Sequence, residues 1–534
     1  MKDRAVDPVA LEVLWTRLIS AVDEAARVIV RTAFSTLSNE ANDFACVLTD
    51  AEGHALAQNS GSIPSFIGTL PATVRHFLNA FGQSGMSPGD VLITNNPWQG
   101  TGHLNDVCVV KPIYADGTLV AFAASTAHVP DIGGFIRSIV PREVFEEGFH
   151  IPLTKLIRAG TVDETLLTLL AANVRTPDQT IGDVWAQVSA LNLIEKRVLQ
   201  VMGEHGLASL EELASELFAR AEGAMREAIA ALPDGTYPYE LTTDGLDEPF
   251  VFKVAVTVAG DAITVDFAGT SPAQPRAINC VYAYTFAMTA YALKCLLVPD
   301  VPNNEGMYRP LTVTAPEGSI LNPRFPAAVG GRSSTGHYVP VAVIGALAPV
   351  LPDRAIAGVG SPLWCLTQTG TRDDGRPYAN VMFFNGGMGA LAGKDGEAAL
   401  SWPSNISSTP VEVAEANSPF VFHHKRLVPN SGGAGRHRGG LGQEIVLESR
   451  SERPISVIFL AERTREPAPG LAGGGPGRPG AVEIDGRPVD NRAQHIIARG
   501  GRILLRTPGG GGHGPPAERD ADDVARDARL GITS

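Results

Sequence analysis

His103, Asp106 and His128 are the residues whose types and spacing point to chemistry in this chain. Two imidazoles and a carboxylate form a donor set for a divalent transition metal, zinc or manganese ahead of iron, with room left for water. Such an ion polarises a carbonyl and lowers the pKa of a bound water towards neutrality. The bland alternative is a pair of core histidines hydrogen-bonded to turns, because 12 histidines in 534 residues produce chance spacings. Asp43 is a candidate fourth ligand, set against a turn-capping role. Asp131 stands three residues after His128 and is placed to orient that imidazole or to act as a base. Glu147, in Glu146-Glu147-Gly148, is a second catalytic candidate, unless those carboxylates only mark a solvated helix end.

The element that must position the cluster is a β-hairpin. Residues 106–114 and 119–126 are β-branched, aromatic or small and apolar, and the link between them contains Asp116-Gly117, a two-residue turn signal. Folding back about that turn sets Asp106 opposite Ala127 or, with a one-residue bulge, opposite His128. Gly100-Thr101-Gly102 lets the chain bend sharply enough to aim His103 at the same point. Asp43 precedes an expected strand over residues 44–48. Val91 to Thr94 reads as a short buried strand that delivers the chain, through Asn95-Asn96-Pro97, to His103.

Around the hairpin the pattern is helical. Asp7-Pro8 is a helix start, and apolar residues recur at three and four from Val9 to Ala33. Residues 61–68 read as a loop and 69–81 as a helix. Three more helices are expected over 161–174, 178–202 and 209–232, the last opened by the capping pattern Ser209-x-x-Glu212. Pro233-Asp234-Gly235 marks a boundary, with a metal-binding α/β part over 1–232 and a β-rich part over 233–534. The fold class is α+β, mixed and multi-domain. A hairpin about Gly260-Asp261 and a helix over 277–297 follow. The glycine run 431–442 reads as a tight turn between strands, with Arg436 and Arg438 as an anion-binding alternative, and the run 508–514 matches G-x-G-x-x-G without being a credible dinucleotide fingerprint.

Composition narrows the partners. A formal charge of −14 disfavours nucleic acid and anionic membranes, and no run of apolar residues is long enough to span a bilayer. Five scattered cysteines suit buried thiols in a reducing cytoplasm better than a disulfide framework. Neither a G-x-x-x-x-G-K-[ST] phosphate loop nor a G-x-S-x-G elbow occurs.

Asn42-Asp43-Phe44, Gly100-Thr101-Gly102-His103-x-x-Asp106, Ala127-His128-x-x-Asp131-Ile132-Gly133-Gly134, Glu147-Gly148, Asn173-Val174-Arg175, Pro302-x-Asn304-x-Gly306 and the two late glycine runs occur here in one order. In that order, over essentially the whole chain, the sequence resembles the hydantoinase B family. The resemblance implies that His103, Asp106 and His128 bind a catalytic metal, with Asp43 as a further ligand. It implies a hetero-oligomer in which an A-type ATP-binding subunit phosphorylates a cyclic amide, such as a hydantoin, 5-oxoproline or another lactam. This B-type chain then opens the activated ring with water supplied at its metal. ATP is therefore used through the partner. A ketone carboxylase subunit and a non-catalytic partner with a structural metal are the alternatives. Asn95, Asn430, Ser65 and Val129 depart from the family pattern, which bears on substrate identity and leaves His103, Asp106 and His128 intact.

Overall fold

The structure, a computed structural model, describes residues 8–533; Asp7, the expected helix cap, lies outside them. Helix α1 (Pro8–Thr32) leads into strands β1 (Phe44–Asp50) and β2 (Ala55–Gln58), helix α2 (Pro64–Phe81), and strands β3 (Val91–Thr94), β4 (Asp106–Ala115) and β5 (Thr118–His128). Strands β6 (Thr154–Arg158) and β7 (Thr161–Val162) complete a seven-stranded sheet in the order β2-β1-β5-β4-β3-β6-β7. Helices α3 (Glu164–Asn173), α4 (Pro177–His205) and α5 (Glu211–Ala230) follow.

This antiparallel sheet is covered on both faces, so its central strands read as continuous apolar runs. Side chains alternate by parity. Phe44, Cys46, Leu48, Val107 and Val109 join a core with Leu14, Leu18, Val22 and Val188 of α1 and α4. Ala45, Val47, Cys108, Val110 and Phe122 join a second core with Phe66, Leu70, Val74 and Phe77 of α2.

That second core continues through helices α6 (Tyr282–Leu297) and α7 (Tyr338–Leu347) to a sheet of β8 (Gly235–Thr243), β9 (Phe250–Ala259), β10 (Ala262–Asp266) and β11 (Leu311–Thr314). Nine strands remain: β12 (Trp364–Thr371), β13 (Pro377–Phe384), β14 (Phe420–Leu427), β15 (Gln443–Ser449), β16 (Ile455–Leu460), β17 (Ala481–Ile484), β18 (Arg487–Pro488), β19 (Gln494–Ile497) and β20 (Arg502–Arg506). They form the sheets β13-β12-β16-β19 and β14-β15-β20-β17-β18 over a third core. The architecture is mixed α+β with several sheets and more than one core, as the sequence indicates.

Several local expectations are corrected. Helix α2 starts at Pro64, so 61–68 is not all loop; a Cβ on Gly68 would sit 2.6 Å from Ala287 Cβ, which makes this glycine a helix-crossing contact. Helix α3 is shorter than expected because residues 161–162 pair with β6. Helix α5 begins at Glu211, and Ser209 reaches only the Glu211 N–H, so the capping box does not form. The helix expected over 277–297 starts at Tyr282. Cys295 is exposed, unlike the other four cysteines.

The largest correction concerns the glycine runs. Run 431–442 does link the antiparallel strands β14 and β15, but as a long loop that folds back on itself, Gly439 N–H donating to Gly433 O at 2.9 Å. The two runs stack backbone to backbone: Gly510 N–H donates to Gly440 O at 2.9 Å, Gly433 N–H to Gly510 O at 2.8 Å, Gly440 N–H to Met388 O at 2.7 Å and Gly511 N–H to Gly358 O at 2.7 Å. A Cβ would lie 1.9 Å from a carbonyl oxygen at Gly387 and Gly440, and 2.0 Å at Gly510. Close approach selects glycine here, and turn geometry does not. Arg438 lies against Asp395 and Asp527, so its charge is already partnered.

Candidate metal centre

Three adjacent strands deliver the cluster. Phe44 pairs with Ala127, which sets Asp43 beside His128, and the His128 N–H donates to Asp43 O at 3.0 Å. On the other side Asp106 pairs with His128, the bulged register, with the irregularity at Ile113/Tyr114. Asp116 and Gly117 both take left-handed φ, 49° and 80°, the geometry of a two-residue hairpin turn. By parity, Asp43, Asp106 and His128 share the sheet face of Val47, Val110 and Phe122, which looks towards α2. His103 arrives from the loop before β4. Gly102 takes φ 113°, and a Cβ there would meet Arg332 Cδ at 2.6 Å.

His103 Nε2, Asp106 Oδ1 and His128 Nδ1 converge: Nε2 to Oδ1 is 2.7 Å, Nε2 to Nδ1 is 3.1 Å, and Nδ1 to Oδ1 is 3.1 Å. All three side chains are buried. Burial, and then the Arg332 guanidinium, push His103 down to about 4. Burial likewise takes His128 to about 4, with Arg137 adding to it. Both rings are therefore neutral near pH 7. His103 Nδ1 lies 3.1 Å from the carbonyl oxygen of Gly330, which only accepts, so the single ring proton sits on Nδ1. Its Nε2 lone pair then faces a carboxylate oxygen. Burial raises Asp106, but Arg332 and His103 outweigh it and hold the carboxyl well below its ordinary range. The three atoms thus have at most the His128 Nδ1 proton among them. Such a set of atoms could hold a shared cation.

Residues that motif reading missed complete the surroundings. Arg332 Nη2 donates to Asp106 Oδ2 at 2.5 Å, its Nε donates to Thr101 O at 3.1 Å, and its guanidinium lies 4.7 Å over the Tyr284 ring. Arg137 is buried beneath Phe383, donates to Ser333 Oγ at 3.1 Å and stands 3.9 Å from Asp43 Oδ2. Asp43, Asp106, His128, Arg137, Arg332, and also His337 line one small cavity of about 20 Å³. The available signal for the late residues was Gly330-Gly331-Arg332-Ser333, an arginine among small residues just before the apolar helix α7.

Of the other sequence candidates, Asp43 lines the cavity, and burial raises its carboxyl while His128 and Arg137 pull it down. Glu147 is buried, so the solvated-helix-end alternative fails; its Oε1 accepts from the Val329 and Gly330 N–H groups, both at 2.6 Å. It thereby fixes the carbonyl-bearing segment that orients His103. The Asp131 carboxylate instead binds the Gly133 N–H and Arg175, and makes no hydrogen bond to His128 among the described residues.

A family model described as Hydantoinase B/oxoprolinase matches residues 7–516. The caprolactamase subunit beta of Pseudomonas jessenii is 28% identical, covering 99% of this chain and 94% of its own. The crystal structure of ATP-dependent caprolactamase from that organism matches with a TM-score of 0.91 at 27% identity, over 99% of this chain and 95% of that one. 5-Oxoprolinase 1 of Arabidopsis thaliana is 29% identical over 96% of this chain, which spans 42% of that longer protein. A nucleotide-free acetone carboxylase chain also gives a TM-score of 0.91, over 99% of this chain and 78% of its own; at 20% identity that likeness is one of fold.

Proposed function

The chain belongs to the hydantoinase B/oxoprolinase family, and we propose that it is the ring-opening, B-type half of an ATP-dependent cyclic amide hydrolase. The observation that carries this reading is the proton-poor convergence of His103 Nε2, Asp106 Oδ1 and His128 Nδ1. These atoms would hold a divalent ion, zinc or manganese, with Asp43 as a further ligand from the neighbouring strand. When bound, the ion supplies Lewis acidity towards an amide oxygen and lowers the pKa of water.

The chain's own residues do the rest. Gly330 O fixes the His103 tautomer, and Glu147 fixes Gly330. Arg332 keeps Asp106 ionised and aimed. The walls around the chamber, Ile63, Phe66 and Ile406, exclude bulk water and strengthen each charge interaction inside. Asp131 braces the loop after β5 through Arg175.

ATP would be used on an A-type partner subunit. Two observations support this: the caprolactamase relative is named as a beta subunit, and the plant 5-oxoprolinase carries more than half its length outside the stretch matched here. The hetero-oligomer works in the reducing cytoplasm, where its free cysteines persist as thiols. Elemental analysis of the purified chain should find near-stoichiometric metal, lost in His103→Ala and His128→Ala; equal metal content in all three would overturn the site. With the A partner, ATP and a panel of lactams, hydantoins and ketones, ring-opened acids are the expected products. Carboxylated ketones would convert the assignment to a carboxylase subunit.

A further inference from the structure

His337 lies far in sequence from the three converging residues, ends a single helical turn, Ser333–Gly336, and lines the same cavity as Asp106 and His128. Its Nδ1 accepts a hydrogen bond from the Leu363 backbone N–H at 3.3 Å. A backbone N–H only donates, so the ring proton must sit on Nε2. Burial, and after it Arg137 and Arg332, push this imidazole down to about 3, so it stays neutral. The Nε2–H has no protein acceptor among the described residues. Arg137 lines the same cavity and its Nε is buried without a partner.

The charge balance of the chamber points the same way. Asp43 and Asp106 are offset by Arg137 and Arg332, two negative groups against two positive. A divalent ion between His103, Asp106 and His128 leaves the buried chamber with an excess of two positive charges. Buried charge without compensation is expensive, so the loaded chamber favours an anion. The cavity, at about 20 Å³, has space for one water-sized atom.

We infer that His337 Nε2–H and Arg137 form a receptor for one anionic phosphoryl oxygen of the activated amide, in the cavity that Asp106 and His128 also line. This rests on the metal-dependent hydrolytic reading above. Neutral His337 donates without adding charge, while Arg137 supplies the charge. Together they hold one non-bridging oxygen of the phosphoryl group and so orient the C–O–P unit for attack at the carbon, while the amide oxygen is the bridging atom and the electron pair goes to the ring nitrogen.

Fluoride, a water-sized anion, is the probe. The chain loaded with Mn2+ should broaden the fluorine NMR line of added fluoride. His337→Leu and Arg137→Gln should weaken that binding by about 10- to 100-fold, the loss of a charge-assisted hydrogen bond. His337→Gln, whose amide N–H can reach the Nε2 position, should recover most of it. Melting curves and metal content, measured on all four proteins, separate this from misfolding. Inorganic phosphate should displace fluoride from the wild type; no displacement would overturn the assignment of the oxygen to a phosphoryl group. Equal fluoride binding in wild type, His337→Leu and Arg137→Gln overturns the receptor alone. Failure of the wild type to take up Mn2+ overturns the metal reading and this one with it.

Discussion

The chamber around His103 and the stacked glycine segments are both deeply buried, and they are built by opposite means. In the chamber, side chains fill the space and each is restrained by another: Glu147 holds Gly330, Gly330 holds His103, and Arg332 holds Asp106. In the glycine layer there are no side chains to restrain, and backbones close to hydrogen-bonding distance, as Gly510 does with Gly440 and Gly433. Functional residues and scaffold residues therefore leave different marks. The first are polar groups where apolar ones would pack more cheaply; the second are glycines where any Cβ would collide.

The contrast breaks most severely at Arg332. Arg332→Met preserves much of the volume but leaves the Asp106 carboxylate buried and uncompensated, at a cost of about 3–5 kcal/mol in the metal-free protein. Chemical denaturation measures it. Adding Asp106→Asn should recover part of that loss, because the two sites share one interaction. A double variant as unstable as the sum of the singles would show that the ion pair is not what holds this wall.

In the glycine layer the same logic predicts sensitivity to one methyl group. A Cβ at residue 510 would sit 2.0 Å from Met388 O and 2.8 Å from Gly389 N, both backbone atoms that cannot swing away. Gly510→Ala should cost about 3 kcal/mol, at the upper end of overpacking effects. Gly393→Ala, where nothing lies within 4 Å and φ is not left-handed, should stay within about 0.5 kcal/mol. Equal losses at the two positions would mean that glycine is required there for flexibility, not for contact.

The two regions also differ in how far the sequence reveals them. The alternation of residues 106–128 and the Asp116-Gly117 turn narrow the partner of Asp106 to Ala127 or, with a bulge, His128, and the bulge at Ile113/Tyr114 selects His128. Asp43 is placed by the same parity in β1. Arg332, Arg137 and His337 carry no such mark, since Arg137 lies in the loop after β5, Arg332 and His337 lie in the segment before α7, and only tertiary packing brings these distant segments to one cavity. The glycine runs were visible but misleading. A glycine signals either a left-handed turn or a close approach, and only the neighbour, often tens of residues away, decides which. Asp131 illustrates a third limit: its spacing from His128 suits an orienting role, and the competing partner, Arg175, is a loop residue between α3 and α4.

Glu147 belongs to both regions, a side chain whose task is to hold glycine backbone, and it gives the smallest and most selective test. Burial raises its carboxyl to about 8, against the hydrogen bonds from Gly330 and Val329. A folded-state pKa above the unfolded one means that the native protein binds the extra proton. The associated stability is complete below about pH 4.5 and disappears as pH rises through 8. His103 and His128 are shifted the other way, to about 4, so they cost stability as pH falls from 6.5 towards 4. Between pH 6.5 and 8 Glu147 therefore acts without opposition from those two rings. Burial also raises Glu462 to about 8, so the part of the wild-type loss carried by Glu147 alone is at most about 1.4 kcal/mol per pH unit, the limit for one linked proton. Glu147→Gln keeps an oxygen for the two N–H groups and cannot titrate, so its denaturation midpoint should vary less with pH over the same range. Parallel pH profiles for the two proteins would remove Glu147 as the group that ties the chamber's stability to its protonation.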